Sequence, residues 1–307
     1  MNAIAGKLEV ANTEHLTKLK QGAANWLDWL DRSQSKQIDL ADADLRQVNL
    51  TEAYLIKANL SGADLTSAKL CQANLTGANL SAAELVDADL TGANLTGATL
   101  QSACLVDADF YQANLIGSDL RFVRGRGSNF CQANLIGTSI REARLPQVNF
   151  TQAQLNRANL SETDLTKASF DLADLSGANF YEAELQSASF FQANLHRVKA
   201  IATHLSHSYF LGSNFAEASL VGCDFRWANM GYVNLQGADL QQAKLRGANL
   251  TRANLTRANL SGANLRGVNL TYANLSQADL TNADIEDIVL DKAKLTATIM
   301  PDGTRHY

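Results

Sequence analysis

Long apolar runs are missing from this 307-residue chain. No stretch approaches the ~18 consecutive apolar residues of a membrane-spanning helix, so no membrane span is expected. The opening Met-Asn-Ala-Ile-Ala-Gly-Lys is too short, and turns polar too soon, for a secretory leader, which makes a cytoplasmic protein the expectation. Cysteine is sparse, and Cys71, Cys104, Cys131 and Cys223 show neither disulfide nor zinc spacing. A strong excess of one charge is lacking too: 26 basic and 31 acidic side chains leave a net −5. No Ser-His-Asp set, phosphate loop, His-Glu-x-x-His or paired-carboxylate cleft can be traced, so an enzyme, a metal and a cofactor are all unexpected.

What the chain does have is a period of five. Every fifth residue from Leu40 to Met300 is a large apolar side chain, apart from Gly125 and Ala200, with no shift of register over 53 pentads. The residue two places earlier is always Ala, Val, Ser, Thr, Cys or Ile. A period of five matches neither an amphipathic helix nor a half-buried strand, and an internal repeat decides architecture before local propensity does. Two residues apart on an extended segment point to the same side. The small and large apolar positions therefore face inward together, and the three polar positions turn a corner.

A longer period overlies the short one. Phe110, Phe130, Phe150, Phe170, Phe190 and Phe210 recur every twenty residues, which places them on one side of a four-sided coil as a stacked column. Asn74, Asn94, Asn114, Asn134, Asn194, Asn214, Asn234, Asn254 and Asn274 share another column. Either their amides bond along the stack, or Asn is simply favoured at this turn position on every side.

The Ala-(Asp/Asn)-Leu-x-x wording, as in Ala78-Asn79-Leu80, resembles the pentapeptide-repeat family over 265 of the 307 residues. That resemblance implies an all-β solenoid, a right-handed quadrilateral parallel β-helix of four pentads per coil and roughly thirteen coils. The domains expected are an N-terminal helical cap over 1–37, the β-helix over 38–300 and a short tail over 301–307. Such a bore is filled by side chains and leaves only the outside for function. Cys71 and Cys131 share a column but lie three coils, roughly 14 Å, apart, beyond disulfide reach. Cys223 takes an inward slot as a core thiol.

Residues 1–37 lack the repeat. Thr13, Glu14, Leu16, Leu19, Ala23, Trp26, Leu27 and Leu30 predict one amphipathic helix, and its Trp26 and Trp29 are candidates for covering the first coil. The alternative is a docking helix. The run Ala24-Asn25-Trp26-Leu27-Asp28-Trp29 resembles N-terminal segments of cyanobacterial family members. At the other end, Val289 and Ile299 occupy positions that are polar elsewhere, and Pro301 and Gly303 stop the repeat. Either the tail folds over the last coil or two copies meet there as a homodimer. Val289 and Ile299 are the candidate end-to-end contacts.

Departures from the repeat mark candidate sites. Gly125 vacates a core position beside Arg121, Arg124, Arg126, Arg141 and Arg144, with Val123 or Phe122 as candidate fillers. Glu142 is one candidate partner for these arginines, Asp164 continues the Arg124 column, and the cluster could contact an anion or an acidic protein. Ala200 vacates a second core position, near His196, His204 and His207, which do not form a metal set. Arg226, Arg246 and Arg266 form a third arginine column, with Trp227, Tyr232 and Tyr272 nearby. Tyr111, Phe191 and Leu211 share a column expected to be exposed. These features point to a scaffold that presents flat surfaces to an unidentified protein partner. The alternatives are the DNA-mimic binding of a type II topoisomerase (gyrase) known in some family members, and, in a cyanobacterial setting, an assembly or regulatory factor for photosynthetic or membrane complexes. Nucleic acid is not expected as a partner.

Overall fold

Each pentad closes in the same way. Ala43 donates its N–H to Leu40 O at 3.2 Å and Ala53 donates to Leu50 O at 3.0 Å, and nearly every large apolar residue opens a β-turn in this way. The third residue of these turns has positive φ in every pentad from Asp42 to Ala297, the hallmark of type II geometry. At 38 of the 52 positions that residue is not glycine, so left-handed backbone costs about 1 kcal/mol or more at each. Burial and inter-coil hydrogen bonding must offset that cost. The computed structural model describes residues 12–32 and 37–306. Residues 1–11 and 33–36 of the expected cap, and Tyr307 of the tail, lie outside the described residues.

Between coils, Leu40 donates to Asn59 O (2.8 Å), Asp42 donates to Ser61 O (2.8 Å) and Asn59 donates to Ile38 O (2.8 Å). The pattern repeats up the chain, and parallel bridges join each residue to the one twenty places on, from Asp39↔Asn59 to Asp279↔Ile299. Four pentads thus complete one turn. Each side of the solenoid is a single bridged residue flanked by turns rather than a strand of several residues.

One backbone donor per pentad has no backbone partner, the N–H of the second turn residue. The side chain before the leucine accepts it: Thr51 N–H bonds Asn49 Oδ1 at 3.1 Å, and Thr66 N–H bonds Asp64 Oδ1 at 3.0 Å. This Asx bond is the physical reason for Asp or Asn at that position on all four sides. The Asn column does more in its second half. Asn194 donates to Asp174, Asn214 to Asn194, Asn234 to Asn214 and Asn254 to Asn234, at 2.9 to 3.2 Å. Asn74, Asn94, Asn114 and Asn134 make the local turn bond without that ladder among the described bonds.

Inside, the Ala and Leu positions are buried along almost the whole length. The Phe column is continuous, with successive ring centroids 4.5 to 5.2 Å apart and interplanar angles of 4 to 25°. Phe180, Phe215 and Phe225 meet it edge-on from other sides. Hydroxyls in the small slot bond backwards by one coil: Thr163 to Ile140 O, Thr203 to Phe180 O and Ser208 to Leu185 O. They are buried without being left unsatisfied. Cys223 fills the same slot, bonding Ala200 O.

The vacancy expected at Gly125 does not exist. A Cβ built there would stand 2.8 Å from Leu145 Cδ2, 3.0 Å from Leu105 Cβ and 3.1 Å from Ser128 Oγ. The leucines of the coils on either side have closed the space, Val123 stays in its own buried slot, and Phe122 points outward, 44% exposed. Ala200 is likewise buried, beside buried Val198.

The single N-terminal helix expected is two. Helix α1 runs over Thr13–Leu19 and helix α2 over Ala23–Arg32. Gly22, at φ +99°, breaks them apart, a conformation that suits glycine. Asn12 caps α1, accepting from the N–H groups of Glu14 and His15.

Candidate interaction surfaces

The two helices sit on the first coil through specific polar bonds. A coil with no predecessor leaves its bridge residues unpaired on one side. Here Asp39 O accepts from Asn12 N–H at 3.3 Å, and Asp39 N–H donates to His15 Nδ1 at 3.1 Å. Fully buried Trp26 donates its indole N–H to Tyr54 O at 2.8 Å. Trp29 stacks on it at 5.0 Å and donates to Glu14 Oε1 at 3.0 Å.

At the far end the tail folds back. Ile299 pairs antiparallel with Arg305, and His306 donates to Thr298 O at 2.8 Å. This covers one side. Among the described residues, the N–H groups of Ile285, Leu290 and Leu295 lack the acceptor from a following coil that their counterparts below enjoy. Ile285, Leu290, Leu295 and Met300 are only half-buried, and Val289 is 46% exposed.

The first arginine cluster is sorted by local pairing. Arg121 pairs within its own turn. It bonds Asp119, two residues back, at 2.8 Å. Glu142, a candidate partner for this cluster, is held by Arg141 at 3.1 Å, which also reaches Glu162 at 3.0 Å. Burial opposes ionisation of Asp119, but hydrogen bonds from the Arg121 side chain and backbone hold its carboxyl below the usual range. Among the described residues, the Arg126 side chain bonds only the amide of Gln147. Arg124 and Arg144 are bridge partners on consecutive coils, and among the described residues neither guanidinium has an ion-pair or hydrogen-bond partner.

The third arginine column lies on a corner of later coils. Arg226 is paired with Asp224 (2.6 Å) and Arg266 with Glu286 (2.8 Å), whereas exposed Arg246 is in no ion pair among the described residues. Asp224 is buried, yet its bonds from Arg226 keep the carboxyl below its ordinary value. Trp227, 56% exposed, lies flat on Gly247, where a Cβ would stand 2.3 Å from the ring. The next corner carries Tyr232, Arg252, Tyr272 and Lys292 on successive coils. The Arg252 guanidinium lies 5.5 Å from the Tyr232 ring and 5.2 Å from the Tyr272 ring. Between the two corners run Asn229, Asn249 and Asn269 as bridge partners. Residues 225–278 hold six basic side chains and only Asp239 as an acid, in a chain that is net negative. The sequence had singled out the arginines; the exposure of Trp227, Tyr232 and Tyr272 at turn positions is what joins them into one face.

Tyr111, Phe191 and Leu211 do share a column, but all three are half-buried rather than exposed. Their turn position lays the side chain along the stack, where the next coil covers it. Tyr111 donates to Gln132, Phe191 lies against Tyr209 at 6.3 Å, and Leu211 reaches within 3.1 Å of where a Gly231 Cβ would stand. His204 bonds Glu184 at 2.8 Å, and no cluster among the described residues could hold a metal ion. No helix among the described residues is long and apolar enough to cross a membrane.

Coils of twenty residues with this wording define a solenoid of pentapeptide type. A model of pentapeptide repeats matches in eight copies, at residues 38–77, 73–112, 93–124, 108–152, 153–192, 193–231, 234–271 and 258–296. The chain belongs to the pentapeptide-repeat family. It is similar to HetL, a pentapeptide repeat protein involved in heterocyst differentiation regulation from the cyanobacterium Nostoc sp. strain PCC 7120. The two share 34% identity over 68% of this chain and 91% of that one, with a TM-score of 0.37. It is also similar to QnrB1, a plasmid-mediated fluoroquinolone resistance protein, at 21% identity over 55% of this chain and 90% of that one (TM-score 0.42). A third likeness is to a pentapeptide repeat protein from the Arabidopsis thaliana thylakoid lumen, at 29% identity over 42% and 70% of the two chains (TM-score 0.15). No curated protein gives a significant match.

Proposed function

We propose that this chain is a non-catalytic, right-handed rod of roughly thirteen coils that presents its outer faces to a protein partner. Parallel strands joined by successive crossovers favour that hand. The observation that carries the reading is the face between the Arg226–Arg246–Arg266 corner and the Tyr232–Arg252–Tyr272 corner. Tryptophan, tyrosine and arginine dominate the hot spots of protein interfaces, and here they stand exposed on a rigid support. The local charge excess selects an acidic partner surface. Arg121, Arg124, Arg126, Arg141 and Arg144 are a second contact zone within the same reading. A side-chain-filled bore has no concave site for catalysis.

Trp26 and Trp29 act as the cap, supported by the bonds that satisfy Asp39 and Tyr54. Unpaired N–H groups and half-buried leucines on the last coil support end-to-end pairing of two copies through Val289 and Ile299. A monomer in sedimentation at tens of micromolar would remove that part alone. Four free thiols suit a reducing compartment such as the cytoplasm. The test is crosslinking mass spectrometry in the native cell. The reading expects one partner's crosslinks to concentrate on Lys244 and Lys292 and to be lost in Arg246→Glu with Trp227→Ala. Crosslinks spread evenly over all four sides, or unchanged in that variant, would refute it.

A further inference from the structure

Arg124 and Arg144 present a different problem from the other arginines. As in-register partners on adjacent coils their backbones lie about 4.8 Å apart, so two positive side chains leave the same side in parallel. Several other arginines are compensated by an acid, Arg46 by Asp44, Arg121 by Asp119, Arg197 by Glu217 and Arg226 by Asp224, and others lie on an amide or a ring, Arg257 on Gln277 and Arg252 on Tyr232 and Tyr272. The groups around this pair do not do the same. On the preceding coil stands Cys104, a thiol held neutral by burial and by Glu84. On the following coil stands Asp164, whose carboxylate is turned into its own corner, accepting from Thr166 N–H at 3.1 Å and Thr166 Oγ1 at 2.8 Å. Glu142 is taken by Arg141.

The two arginines also line an opening of about 380 Å³, together with Ser102, Phe122 and Glu142. Phe122 holds the same left-handed turn position as Trp227, Tyr232 and Tyr272. It sits at φ +62° in a turn position and leaves its ring 44% exposed. A bulky residue in left-handed backbone costs strain, and at this exposure burial offsets only part of it. The opening therefore has two guanidinium forks unpaired among the described residues, one hydroxyl, one aromatic wall and the Glu142 carboxylate, whose charge is answered by Arg141.

We propose that this opening is a binding site for a phosphoryl group, with Arg124 and Arg144 supplying paired N–H donors and Phe122 covering the apolar or aromatic stem that carries the group. Arginine forks match phosphate oxygens in pairs, and a dianion answers two adjacent cations. The group could belong to a free aryl phosphate or to a phosphorylated side chain of a protein partner, and the test separates these. The site does not depend on the acidic-partner face described above, which lies on later coils.

The full-length protein is titrated by calorimetry, at constant ionic strength, with inorganic phosphate, phenyl phosphate, a phosphotyrosine peptide and its unphosphorylated form. Phosphate and phenyl phosphate should both bind, the latter more tightly. Arg124→Gln or Arg144→Gln should each weaken binding about tenfold, as expected for loss of one charge-assisted contact, whereas Arg257→Gln should leave it unchanged. Phe122→Ala should remove the advantage of phenyl phosphate over phosphate. A phosphopeptide that binds more tightly than phenyl phosphate, while its unphosphorylated form does not bind, points to a protein-borne group; equal affinities point to a small molecule. Absence of phenyl phosphate binding at 1:1 stoichiometry, or binding unaltered in both arginine variants with native circular dichroism, overturns the proposal.

Discussion

Gly125 offers the sharpest test of how the core is packed, because pattern and structure give opposite answers there. The repeat calls for leucine. If the glycine left a hole, Gly125→Leu would stabilise the rod by up to the ~2–5 kcal/mol that a leucine-sized cavity costs. The coordinates leave no hole. A single added carbon would already stand 2.8 Å from Leu145 Cδ2 and 3.0 Å from Leu105 Cβ, against about 3.5–4.0 Å for relaxed carbon contact. Those neighbours would have to retreat by nearly an ångström in a column where every adjacent side chain is buried. Gly125 is not in left-handed backbone, so Gly125→Ala gains about 0.4–1 kcal/mol through the unfolded chain, and overpacking costs about 1–3 kcal/mol. The net expectation is mild destabilisation by alanine and a loss of about 2 kcal/mol or more by leucine. Urea denaturation followed by circular dichroism, with hydrogen exchange at the Leu105 and Leu145 amides to localise the effect, measures both. A Gly125→Leu rod more stable than the parent would refute the packing account.

Other consequences follow from the same coordinates. Trp26→Ala should cost about 3–5 kcal/mol locally and expose Tyr54 O, read as loss of protection in the first coil while the last coils exchange as before. Cys223 is buried, which pushes its thiol up to about 12, above the ~8.5 of an unfolded thiol. Its contribution is therefore complete below about pH 8.5 and declines as pH rises through that interval toward 12. Unfolding midpoints of Cys223→Ala and the parent should then converge in alkali, and iodoacetamide should leave Cys223 unlabelled in the native protein and label it in urea. Leu172 is 45% exposed at φ +61°, so Leu172→Gly should be neutral or stabilising by about 1 kcal/mol, in contrast to glycine placed at any buried leucine.

The sequence made the side-chain period, the four-fold return and the Phe column plain, because each depends on spacing alone. The Asx bond was not read from the sequence, although its signal was there: Asn49 and Asp64 hold the same position, and both are short acceptors. What spacing could not show is how neighbours respond. Leu105 and Leu145 close over Gly125, which no pentad considered singly would reveal. Glu142 does pair with the arginine cluster, through Arg141, but that Arg121 reaches back two residues to Asp119 inside its own turn was not visible in the twenty-residue columns. Tyr111, Phe191 and Leu211 were expected at the surface because their position is polar elsewhere, but turn side chains lie along the stack and are roofed by the next coil. The N-terminal pattern read as one helix because its apolar spacing continues through Gly22, and only the φ of that residue divides it.

The central claim is that twenty residues make one turn of a closed, side-chain-packed coil, so distance along the rod is proportional to residue number. Nitroxide labels at Gly92, Gln192 and Lys292, which share one exposed corner column, test it by pulsed electron resonance. The account predicts five coils, about 24 Å, from 92 to 192, and ten coils, about 48 Å, from 92 to 292. A second distance that falls well short of double the first, or a broad distribution for either, would contradict it.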